Sequence, residues 1–212
     1  MKEMLEKAKG AFAQNGYRKR GNSFYKTEDG FYKLVSFQKG AYGDYFFINV
    51  GLHPVGLPLL EANTLRIPDH PKEYECALRK RVGQIVPEEK REIWSKAQNW
   101  IGGDMVPHII DAIGDIEAWF PKWGSFQAIL DCSFDEISNM FSAVPLLWEK
   151  EFLLLKFYAA LQVGDTALSR ELFRSYSNTM VQGLNFERTD SYLRAMLATS
   201  TEQEDGHEKL YL

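Results

Sequence analysis

From Asn22 onward the apolar residues of this 212-residue chain change their period from helical to two, and nothing else in the sequence restricts the fold as sharply. Before the change, Met1, Met4, Leu5, Ala8 and Phe12 fall on one helical stripe, and Gly16 offers the backbone a stop. After it come three aromatic-rich runs, NSFYKT, FYKLVSFQ and DYFFINVGL, separated by Glu28-Asp29-Gly30 and by Lys39-Gly40-Ala41-Tyr42-Gly43. Alternating runs punctuated by turn residues predict an antiparallel meander. Taking 39–43 as a five-residue loop places Phe37 opposite Tyr45, Val35 opposite Phe47 and Leu34 opposite Ile48. Both faces are then apolar, and the expectation is cover on each, by the first helix on one side and by later helices on the other.

Downstream of the meander, Pro54, Pro58, Pro68 and Pro71 argue against an internal helix or a central strand and predict an extended crossing loop with room for an edge strand. Helical spacing resumes at Tyr74–Val86, read as a helix or a helix plus turn that carries Arg79-Lys80-Arg81, and Pro87-Glu88-Glu89 opens a second helix carrying Ile93, Trp94, Ala97 and Trp100. Asp104 is the expected cap of a third, with Ile109, Ile113, Ile116 and Phe120 in register and Pro121 as its stop. Ser133-Phe134-Asp135-Glu136 has the form of a capping box, Pro145 starts a long apolar helix to Val163, Gly164-Asp165 supplies a stop and a cap, and a last helix covers Glu187 to Ala198. The expected fold class is α+β: an N-terminal helix and an antiparallel β-meander covered by helices within residues 1–125, an all-helical C-terminal part over 126–200, and a polar tail from 201 to 212.

Composition supports a packed interior and limits the partners. Apolar residues make up 45% and aromatic ones 14%, and the net charge of −4 argues against a polycation that grips nucleic acid by bulk charge. Residues 1–103 hold 17 Lys+Arg against 12 Asp+Glu, a net +5, whereas residues 104–212 hold 8 against 17, a net −9. Charge interrupts the first sixteen residues too often for a secretion signal, no span is long enough to cross a membrane, and the two cysteines, Cys76 and Cys132, form no framework. The expected location is the cytoplasm.

No reactive motif is legible. The sequence has no GxGxxG or GxxxxGK[ST] phosphate cradle, no GxSxG elbow, and neither HExxH nor CxxC spacing, so no cofactor, no metal and no catalytic residue is assigned. The candidate ligand- or partner-binding residues are polar groups in telling places. His53 and His70 flank the proline-rich segment. Asn49 and Gln38 interrupt apolar strands, where an amide needs hydrogen-bond partners. Arg18 and Arg20 on one side, and Arg79 and Arg81 on the other, could form a cationic face for an acidic partner. A small-ligand or enzyme site between the meander and the proline-rich segment, using His53, His70, Asn49 and Arg79, is the alternative. Nucleic-acid binding is disfavoured; its minimum requirement is one basic face holding Arg18, Arg20 and Arg79.

Read in order, Gly16-Tyr17-Arg18-Lys19, Asn22-Ser23-Phe24-Tyr25, Val35-Ser36-Phe37-Gln38-Lys39, Phe46-Phe47-Ile48-Asn49-Val50-Gly51 and Cys76-Ala77-Leu78-Arg79-Lys80-Arg81-Val82-Gly83, continuing through Trp94, resemble the bacterial domain-of-unknown-function family 4304 over roughly residues 1–130. The resemblance implies a small bacterial cytoplasmic protein with a meander and packed helices. It transfers no catalytic role to Gln38, Asn49, Arg79 or Arg81. The charge asymmetry, the abundant aromatics and the missing reactive motifs make a non-catalytic protein-binding module with a protein partner the expected function. Families of this type sometimes accompany toxin systems as antidotes, so the resemblance implies the immunity type for that module.

Overall fold

The computed structural model describes residues 1–41, 45–61, 64–95, 104–138, 145–179 and 189–199. Ala97, Trp100, the Gly102-Gly103 pair and the tail 201–212 lie outside the described residues. The chain divides into two compact units, Met1–Val55 with His70–Ser125, and Gly56–Asp69 with Phe126–Leu212. The proline-rich segment thus falls mostly with the second unit.

In the first unit, helix α1 (Lys2–Gln14) buries Met4, Leu5, Ala8 and Phe12, the stripe read from the sequence. Gly16 at φ +82° turns the chain into a five-stranded antiparallel sheet of order β1-β2-β3-β4-β7: β1 (Arg18–Arg20), β2 (Ser23–Glu28), β3 (Phe31–Lys39), β4 (Phe46–Pro54) and β7 (Leu78–Arg81). The meander is β2-β3-β4. Its register differs from the one expected: Phe37 faces Ile48, Val35 faces Val50 and Leu34 faces Gly51. The difference is three positions, an odd number, and an odd shift exchanges the faces of one strand relative to its neighbour. Burial is the physical reason for it. The observed register gathers Phe31, Val35 and Phe37 with Phe46, Ile48, Val50 and Leu52 on one face, all buried, and leaves Tyr32, Ser36 and Gln38 with Phe47, Asn49 and His53 on the other.

Both large helices of this unit use the apolar face. Phe12 of α1 stacks on Phe24 at 4.0 Å between ring centroids and meets Phe37 edge-on at 6.2 Å. Helix α4 (Val106–Trp123) sends Glu117 to Tyr17 and Lys26, and its Phe120 ring lies 5.7 Å from the Lys33 ammonium. The opposite face is covered in its middle by residues 73–77 instead. Tyr74–Val86 is not one helix: a 3-10 turn (Glu73–Glu75) leads into β7, and only Val82–Ile85 (α2) is helical, followed by α3 (Glu88–Ser95). Tertiary pairing with β4 overrides the helical spacing there. Helix α4 also runs past Pro121, whose missing N–H falls in the last turn, and its cap position is Met105, with Pro107 in the first turn.

In the second unit, β5 (Leu59–Glu61) and β6 (Thr64–Arg66) form a two-stranded ribbon, and helices α5 (Phe126–Asp131), α6 (Phe134–Ser138), α7 (Pro145–Gln162) and α8 (Thr166–Thr179) follow. Residues 189–199 are also helical. The capping box forms: Ser133 N–H donates to Glu136 at 2.7 Å, and Glu136 N–H to Ser133 Oγ at 3.3 Å. Gly164 takes φ +77°, and Asp165 Oδ1 accepts from Leu168 N–H at 2.9 Å, ending α7 and starting α8. Leu154, Leu155, Phe157, Tyr158, Ala159 and Ala160 are buried around the whole circumference of α7, as an apolar helix in a core requires.

Candidate functional site

Two copies of the tripeptide Arg-Lys-Arg form opposite edges of the sheet: Arg18-Lys19-Arg20 is β1, and Arg79-Lys80-Arg81 completes β7. Strand alternation decides where they point. One register row reads Arg20, Ser23, Ser36, Asn49, Arg81 across the five strands, and the next reads Arg18, Tyr25, Leu34, Gly51, Arg79. All four arginines therefore stand on the face opposite α1 and α4, whereas Lys19 and Lys80 point to the helix side. Lys19 pairs there with Glu6 at 3.1 Å, and burial pulls the Lys80 ammonium below its ordinary value. A helix would have splayed Arg79 and Arg81 by about 200°; the strand aligns them. Four gaps of about 4.8 Å put the backbones of Arg20 and Arg81 roughly 19 Å apart.

Between Arg20 and Arg81 the face is polar and internally bonded, whereas the buried Leu34 stands in the row between Arg18 and Arg79. Ser23 and Ser36 share a hydroxyl bond of 3.0 Å, and Asn49 Nδ2 donates to Gln38 Oε1 at 3.0 Å. The buried Glu73 carboxylate lies 3.0 Å from Arg79 Nε and also hydrogen-bonds the Asn49 side chain; burial raises its pKa, opposed by Arg79 and Arg81. The Arg81 guanidinium sits 4.0 Å over the Phe47 ring. Cys76 packs on Gly51 so closely that a Cβ there would stand 2.7 Å from Sγ, and burial holds the thiol well above its usual range, protonated at neutral pH.

The histidines occupy different environments. His53 is buried and its Nδ1 accepts the Ala77 N–H at 3.2 Å, which pins residues 76–77 to the sheet. His70 is exposed, with its ring 6.2 Å from Tyr25 and 6.3 Å from Tyr32. It lines a cleft of about 590 Å³ beside β1, together with Gly16, Arg18, Arg20, Tyr25 and Tyr32. The structure thus brings Asn49, Gln38, Arg79 and Arg81 into one group on the β4–β7 side, sets Arg18, Arg20 and His70 at the β1 side, and places His53 beneath the covering turn. Tyr25 and Tyr32 escaped the sequence reading, although their alternation with Phe24 and Phe31 marks them as residues of the opposite, polar face. Among the described residues no three His, Cys, Asp or Glu side chains gather as a metal set, and no helix is long and apolar enough to cross a membrane.

A family model described as a domain of unknown function (DUF4304) matches residues 8–116, more than half of the chain. The matched span carries both arginine edges, the meander and most of α4. No curated protein and no solved structure matches the chain.

Proposed function

The chain belongs to the DUF4304 family, and from that premise we propose that it is a non-catalytic protein-binding module of the bacterial cytoplasm, of the immunity type that occludes another protein. The arginine-bordered sheet face is its docking surface, and the partner presents an acidic surface. The observation that carries this reading is the register row Arg20-Ser23-Ser36-Asn49-Arg81, which sets arginines at both edges of one face. Cationic edge strands also discourage strand-to-strand aggregation, but that purpose is served by lysine on either face and does not require the arginines to share one. Guanidinium groups at fixed spacing match carboxylates bidentately and steer encounter. Two free, buried cysteines fit a reducing compartment.

The experiment is a titration of purified chain against the products of adjacent genes, with wild type and the double variant Arg20→Glu/Arg81→Glu. A neighbouring product that binds the wild type and loses about a hundredfold in affinity with the double variant supports the reading. If no neighbour binds, or if charge reversal leaves binding unchanged, the docking face is wrong. Tight binding of single-stranded RNA that weakens steeply with salt would replace the protein partner with nucleic acid.

A further inference from the structure

The cleft beside β1 differs in character from the rest of the face. Strand β1 pairs with β2 only from Ser23 to Tyr25, after which Gly16 carries the chain away from the sheet. The departing chain leaves the concavity, about 590 Å³, within the roughly 300–1,000 Å³ of small-molecule sites. Among the described residues no carboxylate lines it. Its two lysines are already neutralised, Lys19 by Glu6 at 3.1 Å and Lys26 by Glu117, with Glu28 at 3.4 Å. Arg18 and Arg20 are exposed and have no carboxylate partner among the described residues. The unspent positive charge is therefore concentrated on two guanidiniums that share a face two residues apart.

Opposite those arginines stand three rings. Tyr25 is the direct cross-strand neighbour of Arg18, and the His70 ring meets those of Tyr25 and Tyr32 at 6.2 Å and 6.3 Å between centroids, tilted 68° and 61° from them. Both tyrosines are half-buried and keep part of their surface open. Thr27, exposed beside Tyr32 in the register, adds a hydroxyl. An inorganic anion would use the guanidiniums and ignore the rings. An acidic peptide segment would likewise leave them unfilled. A ligand that satisfies the whole cleft has a phosphate at one end and a planar heteroaromatic ring at the other.

We propose that this cleft binds a nucleoside monophosphate, its phosphate held by Arg18 and Arg20 and its base against Tyr25, Tyr32 and His70. The site shares Arg20 with the docking face but neither Arg79 nor Arg81, and its ligand comparisons need no variant, so either proposal can fail alone. The test is calorimetric titration of the full chain with AMP, GMP, CMP and UMP, and with adenosine, ribose 5-phosphate and inorganic phosphate as fragments. Saturable binding of at least one nucleotide, with each fragment about tenfold or more weaker, is the expected result. Arg18→Ala/Arg20→Ala should abolish it, Tyr25→Leu should weaken it by about fivefold or more, and Arg81→Ala should leave it intact. Absence of saturation by any nucleotide at millimolar concentration overturns the proposal, as does inorganic phosphate binding as tightly as the nucleotides. Tighter binding of phosphotyrosine than of any nucleotide overturns it as well. These ligand comparisons use the wild-type protein and do not depend on how any variant folds.

Discussion

The two faces of the five-stranded sheet are made from alternate residues of the same strands, yet they treat charge in opposite ways. On the helix side, Lys26 and Lys33 enter a face of phenylalanines and are held by carboxylates, Glu117 and Glu28, the latter at 2.6 Å from Lys33. Tyr17 joins them through its hydroxyl, 2.5 Å from Glu117, and burial beside that carboxylate drives the phenol far above its ordinary range. On the other side, Glu73 neutralises Arg79, while Arg18 and Arg20 are exposed and have no carboxylate partner among the described residues. A charge that is buried must be paired, whereas one left at the surface is free to meet a ligand. The comparison separates residues that hold the fold from residues available for recognition.

The largest effect expected is on the helix side. Phe24→Ala empties the slot stacked against Phe12 and should cost about 3–5 kcal/mol, read by chemical denaturation. A loss below about 1 kcal/mol would mean that this face is not the core. Next, Tyr17→Phe removes the hydroxyl bond to Glu117 and should cost about 1.5–3 kcal/mol, the range for hydrogen bonds to charged groups.

A smaller effect, dependent on pH, belongs to Glu73. Its folded-state pKa is raised above the ordinary 4.5, mainly by burial, so the unfolded chain ionises first. Glu73 therefore costs nothing while protonated in both states, and stability falls as pH rises from the ordinary carboxylate value through the raised one. The stability of Glu73→Gln relative to wild type, followed by denaturation from pH 4 to pH 7, should rise with pH over that window; a relative stability that falls with pH would mean that the Arg79 pairing outweighs the burial. The smallest effect is at the β1 edge. Arg18→Ser and Arg20→Ser should change stability by no more than about 0.5 kcal/mol while removing ligand binding, and a larger loss would show that these arginines hold the fold.

The legible part of the fold was the part set by local period and punctuation. Helix α1, the three meander strands, the Ser133–Glu136 box and the Gly164-Asp165 junction follow from spacing, caps and turn residues, which act over a few positions. Strands β1 and β7 were missed because each is only three or four residues long, too short to display a period of two; β1 is recognisable only through its pairing with β2, and β7 through its pairing with β4, which is remote in the chain. The loop between β3 and β4 misled the register because turn length alone was used, whereas the packing of Phe37 beside Phe46 selects the alignment. Among the candidate residues, the arginines and amides could be named from their types; Tyr25 and Tyr32 are set apart from Phe24 and Phe31 by alternation, but which of the two faces is the open one follows only from where the helices pack.

Local sequence, then, determined where helices begin and end, which runs alternate, and that the chain carries two basic tripeptides between apolar segments. Tertiary structure decided that both tripeptides become edges of one sheet, with arginines on one face and lysines on the other. The reason is that a side chain's face depends on strand parity and strand parity on register, and register is chosen by burying one apolar surface between elements up to a hundred residues apart, as the Tyr17–Glu117 bond shows.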